Sequence, residues 1–369
     1  MKYFKMLICI ALPIISMSQE IKFVSNSRNV LGQSKDKSAS ISAGDIDNDG
    51  DFDLIVANGR HWPESNKIFI NNGYGKFTVS KLLDQIEETS YATELADFDN
   101  DGDLDIAVGN DMAPNAVYLN DGKGNFTRSA NFGEAYSPTR NLKTVDIDLD
   151  GDFDILITNR GKENEICLNN GKGIFSKVLK FGSKDDSTID VAVADINKDG
   201  HLDLILANRD QQQNYIYLND GNLNFKEKIP FGTGKDETRS VGIFDINNDT
   251  YLDIVTANIK EPNSIYFGSK KLDFSKREVF DKTASNSYSM DFGDLDGNGS
   301  YDIVVANVNE PNKVFLNLGK ENGWKEIILR DKPFYTYDII LADLNNDNRL
   351  DIIESNSDEM NFIYINILK

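Results

Sequence analysis

Asp97-Phe98-Asp99-Asn100-Asp101-Gly102-Asp103-Leu104-Asp105 places five carboxylates on alternate positions of nine residues. As a strand, that run would carry one uniformly charged face. As a loop turning at Gly102, the odd-numbered oxygens converge on a point, which is how a chain builds a cage for a hard cation that takes six to eight oxygens. Leu104-Asp105-Ile106-Ala107-Val108 follows at once and reads as a buried strand. Copies of this unit start at Asp45, Asp97, Asp146, Asp195, Asp245, Asp294 and Asp343, with spacings of 52, 49, 49, 50, 49 and 49 residues. So regular a period signals a repeat architecture.

Each copy reads as four short strands. A strand of small residues (Val191–Ala194) precedes the acidic loop, and an apolar strand (Leu204–Ala207) follows it. A third strand (Tyr215–Leu218) ends in a turn such as Asn219-Asp220-Gly221 or Asn120-Asp121-Gly122. The fourth is expected to start at an aromatic: Phe77, Phe126, Phe175, Phe225, Phe274 or Trp324. No stretch holds a helical period. The pattern predicts an all-β, seven-bladed β-propeller of four-stranded blades. The last copy stops after its third strand, Asn361–Leu368, while a spare strand, Ile21–Ser25, precedes the first. The expectation is that the N-terminal strand completes the last blade and closes the ring, which would leave no free sheet edge.

The net charge of −21 argues against nucleic acid as a partner. The acidity is local. The odd loop positions hold 27 of the 60 acids, and without them the net charge would be +6. Residues 1–18 read as a signal peptide, with Lys2 and Lys5 before an apolar run and Ser16-Met17-Ser18 before the cleavage point. That run is too short to span a bilayer, and no other stretch could. The expected product is one propeller domain over 19–369, monomeric, and secreted, periplasmic or on the cell surface. It would keep one cysteine, Cys167, and so no internal disulfide.

The units resemble the FG-GAP/VCBS repeat family, which is related to the blades of integrin α-subunits. Thr238–Asn247 with Leu252–Asn258, and Asn115–Thr127, carry the resemblance, which covers essentially all of the mature chain. It implies secreted or surface propellers with calcium between the first and second strands of a blade, and binding or adhesion more often than catalysis.

The ligand pattern is that of the first part of an EF-hand loop, closed by a carboxylate at position 9. Three loops are complete: Asp45, Asp47, Asp49 and Asp53; Asp97, Asp99, Asp101 and Asp105; Asp146, Asp148, Asp150 and Asp154. The fourth has Asp195, Asn197, Asp199 and Asp203, and the sixth has Asp294, Asp296, Asn298 and Asp302. The fifth has Asp245, Asn247, Asp249 and Asp253, with Thr250 where the turn calls for glycine. The seventh has Asp343, Asn345, Asp347 and Asp351, with Asn348 at the turn. Up to seven Ca2+ ions are expected, one per blade, with the fifth site weakest and the seventh next. Solvated Asx turns are the plainer reading of the same residues. Zinc is disfavoured, because no Cys/His ligand spacing occurs.

Specificity is expected at the opposite end of the blades. An Asn stands five residues after each closing Asp (Asn58, Asn110, Asn159, Asn208, Asn258, Asn307, Asn356), a constant that reads as a structural cap. The residues after it vary, and the longest insertion holds Arg60, His61 and Trp62. Six residues before each loop lie Ala39, Tyr91, Arg140, Ile189, Arg239, Tyr288 and Tyr337, expected at the rim of a central channel. Packing that rim is their plainer role; alternatively, its tyrosines and arginines suit stacking on sugars or pairing with acidic groups. With no nucleophile elbow, zinc helix or phosphate loop, the expected function is non-catalytic binding or adhesion to a glycan or protein. A polysaccharide lyase or hydrolase using His61 or Tyr91 with Arg140 or Arg239 is the alternative.

Overall fold

A computed structural model describes residues 21–26 and 28–368, so the leader expected over 1–18 lies outside it. Among the described residues every regular element is a strand. The first five units each form one four-stranded antiparallel sheet, the second, for example, from Ser90–Ala96, Asp105–Asn110, Asn115–Asn120 and Phe126–Phe132. The sixth and seventh units share one larger sheet, joined where Val308 pairs with Tyr335. In the seventh, Ile21–Val24 pairs antiparallel with Asn361–Leu368, taking the place of the missing fourth strand.

Burial follows position in the sheet. The second strands are apolar without alternation because both faces are covered: Leu54, Ile55, Val56 and Ala57 are at most 1% exposed. The outer strands alternate instead, as Phe126–Phe132 does. The cores lie between neighbouring sheets. Phe98, Val117, Ile155, Ile157 and buried Cys167 form one between units two and three. Leu54, Phe69, Ala342 and Ile363 form another between units one and seven. Each fully buried Leu or Ile contributes about 1.5–3 kcal/mol.

The fourth strands do not all begin at the expected aromatics. Phe126 and Trp324 are first residues, but Phe77, Phe175, Phe225 and Phe274 come two or three residues before their strands. Phe175 and Phe274 are buried, so they anchor the turn in the core and do not open the strand.

Buried side-chain hydrogen bonds tie each unit to the next. Asn66 Nδ2 donates to Ser90 Oγ (3.0 Å), Asn164 to Thr188 Oγ1 (3.2 Å), Asn214 to Thr238 Oγ1 (2.8 Å), Asn263 to Ser287 Oγ (2.9 Å) and Asn312 to Thr336 Oγ1 (2.8 Å). Between units two and three the hydroxyl donates instead, from Thr139 Oγ1 to Asn115 Oδ1 (3.3 Å). Asn361 Nδ2 makes the same bond from the seventh unit to Ser38 Oγ of the first (3.1 Å).

The first strand of every unit slips register by one residue against the second. The slipped residues are Ala39, Tyr91, Arg140, Ile189, Arg239, Tyr288 and Tyr337. A bulge re-aims the side chain it displaces. Here it turns one residue per unit to the same end of the sheets.

Candidate functional site

Antiparallel pairing puts the acidic loops at one end of the sheets and the bulges at the other. In the loops, position 1 is a turn-former. Asp97 Oδ1 accepts the Asp101 N–H (3.1 Å) and Oδ2 the Gly102 N–H (3.0 Å), and the other six first-position aspartates do the same. Position 6 lies at positive φ throughout, from 99° at Gly151 to 76° at Thr250 and 61° at Asn348. For a β-branched residue this conformation is costly, so Thr250 is strained where Gly151 is not.

The closing aspartates are strand ties as well as candidate ligands. Asp105 Oδ1 accepts the Asn120 N–H (2.8 Å) and Oδ2 the Phe98 N–H (2.9 Å). Asp154, Asp203, Asp253, Asp302 and Asp351 repeat both bonds. Burial pushes Asp53, Asp105, Asp154, Asp302 and Asp351 up to about 7, and Asp203 and Asp253 to about 6.

Four loops bring three carboxylates together with oxygens within 4.8 Å: Asp45, Asp47 and Asp49; Asp97, Asp99 and Asp101; Asp146, Asp148 and Asp154; Asp294, Asp296 and Asp302. Among the described residues the loops with Asn197, Asn247 and Asn345 at position 3 form no such cluster. Burial, then the neighbouring loop carboxylates, raises Asp47, Asp99 and Asp148. Asp47 Oδ1 and Asp99 Oδ1 are buried without a hydrogen-bond partner. Carboxylates that converge in this way, two of them with a buried oxygen that has no hydrogen-bond partner, fit a hard cation.

The frame asparagines cap as expected. Asn110 Nδ2 donates to the Pro114 carbonyl (2.8 Å), and its N–H donates to Asn115 Oδ1 (2.8 Å). That second asparagine escaped the sequence reading. It follows the first by five residues in five units, by six at Asn214 and by eight at Asn66, so unequal loops hide it.

The structure gathers the ligand-face candidates into one group. His61, held at φ 70°, places Nδ1 2.9 Å from Tyr91 Oη. Arg60 reaches inward until its guanidinium carbon is 3.4 Å from the Tyr337 ring centroid and 5.8 Å from those of Tyr91 and Tyr288. Arg140 lies 4.7 Å from the Tyr91 centroid and pairs with Asp111 (2.8 Å). Arg239 lies 5.3 Å from the Tyr288 centroid. Ala39 and Ile189 are buried rim packing, and Trp62 stands 67% exposed outside the cluster. Burial, with Arg60 and Arg140, lowers His61, while burial raises Tyr91 and Tyr337. At neutral pH His61 is therefore an uncharged ring, and Tyr91 and Tyr337 keep their hydroxyl protons. Beneath it the first strands of all seven units line a cavity of about 550 Å3, with Glu94, Lys143, Asp190, Asp291 and Asp338 in its wall.

Six overlapping stretches match the FG-GAP-like repeat: residues 45–108, 97–157, 146–206, 195–256, 245–305 and 294–354. The chain belongs to the FG-GAP repeat family. Each match begins on the first aspartate of a loop, so the family's repeat unit coincides with the acidic loop and the strands around it. No curated protein matches the chain in sequence. Two solved structures of BBS1N in complex with ARL6DN, one soaked with mercury and one with lead, share its fold. Each has a TM-score of 0.62 at 12% identity over 93% of this chain and 96% of that one. Identity this low speaks to the fold alone.

Proposed function

We propose that this FG-GAP repeat protein is an exported, calcium-stabilised, seven-bladed propeller. It acts as a non-catalytic module that binds a glycan on the face opposite its acidic loops. The gathering of Arg60, His61, Tyr91, Tyr288 and Tyr337 at one mouth carries this reading. These residues come from bulges and a variable loop set on a constant asparagine frame, the arrangement expected of a recognition surface on a rigid scaffold.

Three contacts between the first and seventh units support a closed ring. They are the Asn361–Ser38 bond, the Ile41 N–H donated to Asp338 Oδ2 (3.0 Å), and Asn346 Nδ2 donated to Asp51 Oδ1 (2.5 Å). Calcium is favoured by the tight carboxylate clusters and the unpartnered oxygens of Asp47 and Asp99. A bound Ca2+ would supply positive charge, and the loop carboxylates would supply oxygens to its adaptable coordination shell. The chain's part is to hold the loop turns ready with first-position aspartates and to fix the following strand with the closing ones.

The hydrogen bond between His61 and Tyr91 favours one second reading, a lyase or hydrolase acting on acidic polysaccharide. Against it, Tyr91 is 5% exposed and its phenol is held protonated by burial, which suits a donor better than a base. A glycan array probed with the full chain in calcium tests the binding reading. Binding that Trp62→Ala and Arg60→Gln weaken is expected. An array without binding, by protein that melts normally, refutes it. Release of unsaturated product would establish the lyase.

A further inference from the structure

We propose that a cleft at the outer edge of the junction between the sixth and seventh units binds a small aromatic carboxylate, with Arg330 seating the carboxyl group and Phe23 and Leu329 walling the ring.

The repeat supplies an internal control. Counting from the loop aspartates, Tyr364 of the seventh unit stands where Tyr118 stands in the second, and the same count matches Arg330 with Asp84 and Phe334 with Glu88. In the outer strands Phe23 pairs with Asn366 as Phe126 pairs with Asn120, so Ser25 stands where Arg128 does. Between the first and second units this place is full. Arg128 reaches across it to donate to Tyr118 Oη (3.1 Å) and to both oxygens of Glu88 (3.0 and 3.2 Å), and the Tyr118 hydroxyl donates to Asp84 (2.6 Å). Between the sixth and seventh units all three partners of the tyrosine are exchanged. Ser25 has no long side chain to reach across, Phe334 takes the place of an acid, and Arg330 brings the cation in from the opposite wall. The exchange leaves a cleft of about 520 Å3, walled by Phe23, Ser25, Leu329, Arg330, Phe362 and Tyr364. That volume is in the range of small-molecule sites.

Arg330 is fixed in a way that suits a planar acid. Its guanidinium carbon lies 3.8 Å from the Phe362 ring centroid and 5.3 Å from that of Phe334, and the two rings are stacked at 27°. Its Nε donates to Tyr364 Oη (3.2 Å). Held by its face and by one nitrogen, the guanidinium keeps its Nη edge for an acceptor, and a carboxylate matches that fork with two parallel bonds. Among the described residues Arg330 is the one charged group in the wall of the cleft. Glu354, the acid that Tyr364 also bonds, is 1% exposed, and the amides of Asn312 (2.6 Å) and Asn356 (3.5 Å) donate to its oxygens. The Ser25 hydroxyl, buried and with no hydrogen-bond partner among the described residues, adds a donor to the same wall. Phe23 and Leu329 are partly buried and line the rest, a surface that suits an aryl ring.

Isothermal titration of the full chain with phenylacetate, phenylacetamide and acetate, at equal free calcium, tests the proposal. Phenylacetate should bind about tenfold tighter than its amide, which gives up the charged hydrogen bonds, and tighter than acetate, which lacks the ring. Arg330→Gln should abolish the preference for the acid, and Arg330→Lys, which keeps the charge but not the fork, should retain only part of it. Ser25→Arg combined with Arg330→Asp rebuilds the Arg128 and Asp84 arrangement; it should fold, by its melting curve, and bind none of the three. Equal affinity for acid and amide overturns the carboxylate seat. Acid binding that survives Arg330→Gln overturns the site, and so does failure of all three ligands with protein that melts normally. The glycan reading stands or falls separately, because the mouth and the cleft share no residue.

Discussion

Asn361→Ala probes whether the seventh unit is fastened to the first as firmly as any other pair. Asn361 is 6% exposed and Ser38 is 1% exposed. The asparagine accepts the Asn356 N–H (2.7 Å) and donates to Ser38 Oγ (3.1 Å). Truncation leaves the Asn356 N–H buried and unpaired, at a cost of about 1–3 kcal/mol. Ser38 keeps its bond to Asn58 Oδ1 (2.9 Å) and so loses only the net worth of one hydrogen bond, about 0.5–1.5 kcal/mol. Together the two losses come to about 1.5–4.5 kcal/mol. At about 2.1 cal/mol/K per residue the unfolding entropy of a chain this long is roughly 0.7 kcal/mol/K, so the melting temperature should fall by roughly 2–6 °C. Asn164→Ala is the internal control, since it breaks the equivalent bonds to the Asn159 N–H (2.8 Å) and to Thr188 (3.2 Å) inside the chain. Melting followed by circular dichroism at fixed free calcium should give both variants similar losses. With Asn164→Ala destabilised and Asn361→Ala melting like the wild type, ring closure through this contact is refuted.

Three further outcomes follow from the loops and the cavity. On the calcium reading, loops with the dissociation constants typical of extracellular sites, about 10⁻⁴–10⁻³ M, would each add roughly 0.4–1.4 kcal/mol at millimolar calcium, and seven such loops would add on the order of 3–10 kcal/mol. Excess EDTA should therefore lower the melting temperature by roughly 5–15 °C, and an unchanged melting curve would remove calcium from the account. Thr250→Gly releases a β-branched residue from φ 76° and should stabilise the protein by about 1 kcal/mol, whereas Gly151→Thr, at φ 99°, should destabilise it; the opposite signs would discard the strain argument. Asp291 is raised to about 6, first by burial, with Asp338 adding and Lys143 opposing. Its folded pKa exceeds the unfolded one, so its contribution is fully present below about 3.8 and is lost as pH rises through about 6. The stability of the wild type relative to Asp291→Asn should accordingly rise between pH 7 and pH 5 in saturating calcium, and a flat difference would place the titration elsewhere.

The repeat, the four-strand unit and the N-terminal pairing were legible in the sequence because each is written locally: a period near 49 residues, an apolar run after each acidic loop, and one spare strand. The bulges were not. Tyr91, Arg140 and Arg239 could be placed at the rim by counting back from the loops, but nothing in Ser90-Tyr91-Ala92 announces a register slip, which depends on the partner strand. Nor was the inward course of Arg60 visible. It depends on Gly59 at φ 103°, where an added Cβ would lie 2.1 Å from the Glu88 carbonyl oxygen, a contact with a residue far along the chain. The closing aspartates were read as ligands alone because two backbone N–H donors, one from a distant turn, leave no mark in the motif.

The acidic loops are also joined to one another, and this bears on why the two ends of the sheets differ. Position 4 stands at positive φ and reaches the next loop: Asn48 Nδ2 donates to Asp103 Oδ1 (2.8 Å) and Asn100 Nδ2 to Asp152 Oδ1 (2.7 Å). Leu149 holds the same position in the third loop and has no side-chain amide to donate. Asp103 and Asp152, at position 7, therefore answer to a neighbouring unit, while the acids at positions 1 and 9 answer to their own turn and strand. A side chain with a structural obligation besides a metal has little freedom to change. At the other end those obligations fall on the asparagine frame and the Ser/Thr hydroxyls, which lie beneath the surface. The bulge residues above them carry none in common, so alanine, isoleucine, tyrosine and arginine can occupy equivalent places. Chemical variety collects where the scaffold makes no demand, which is why the bulge residues vary from unit to unit while the loop aspartates and the asparagine frame recur.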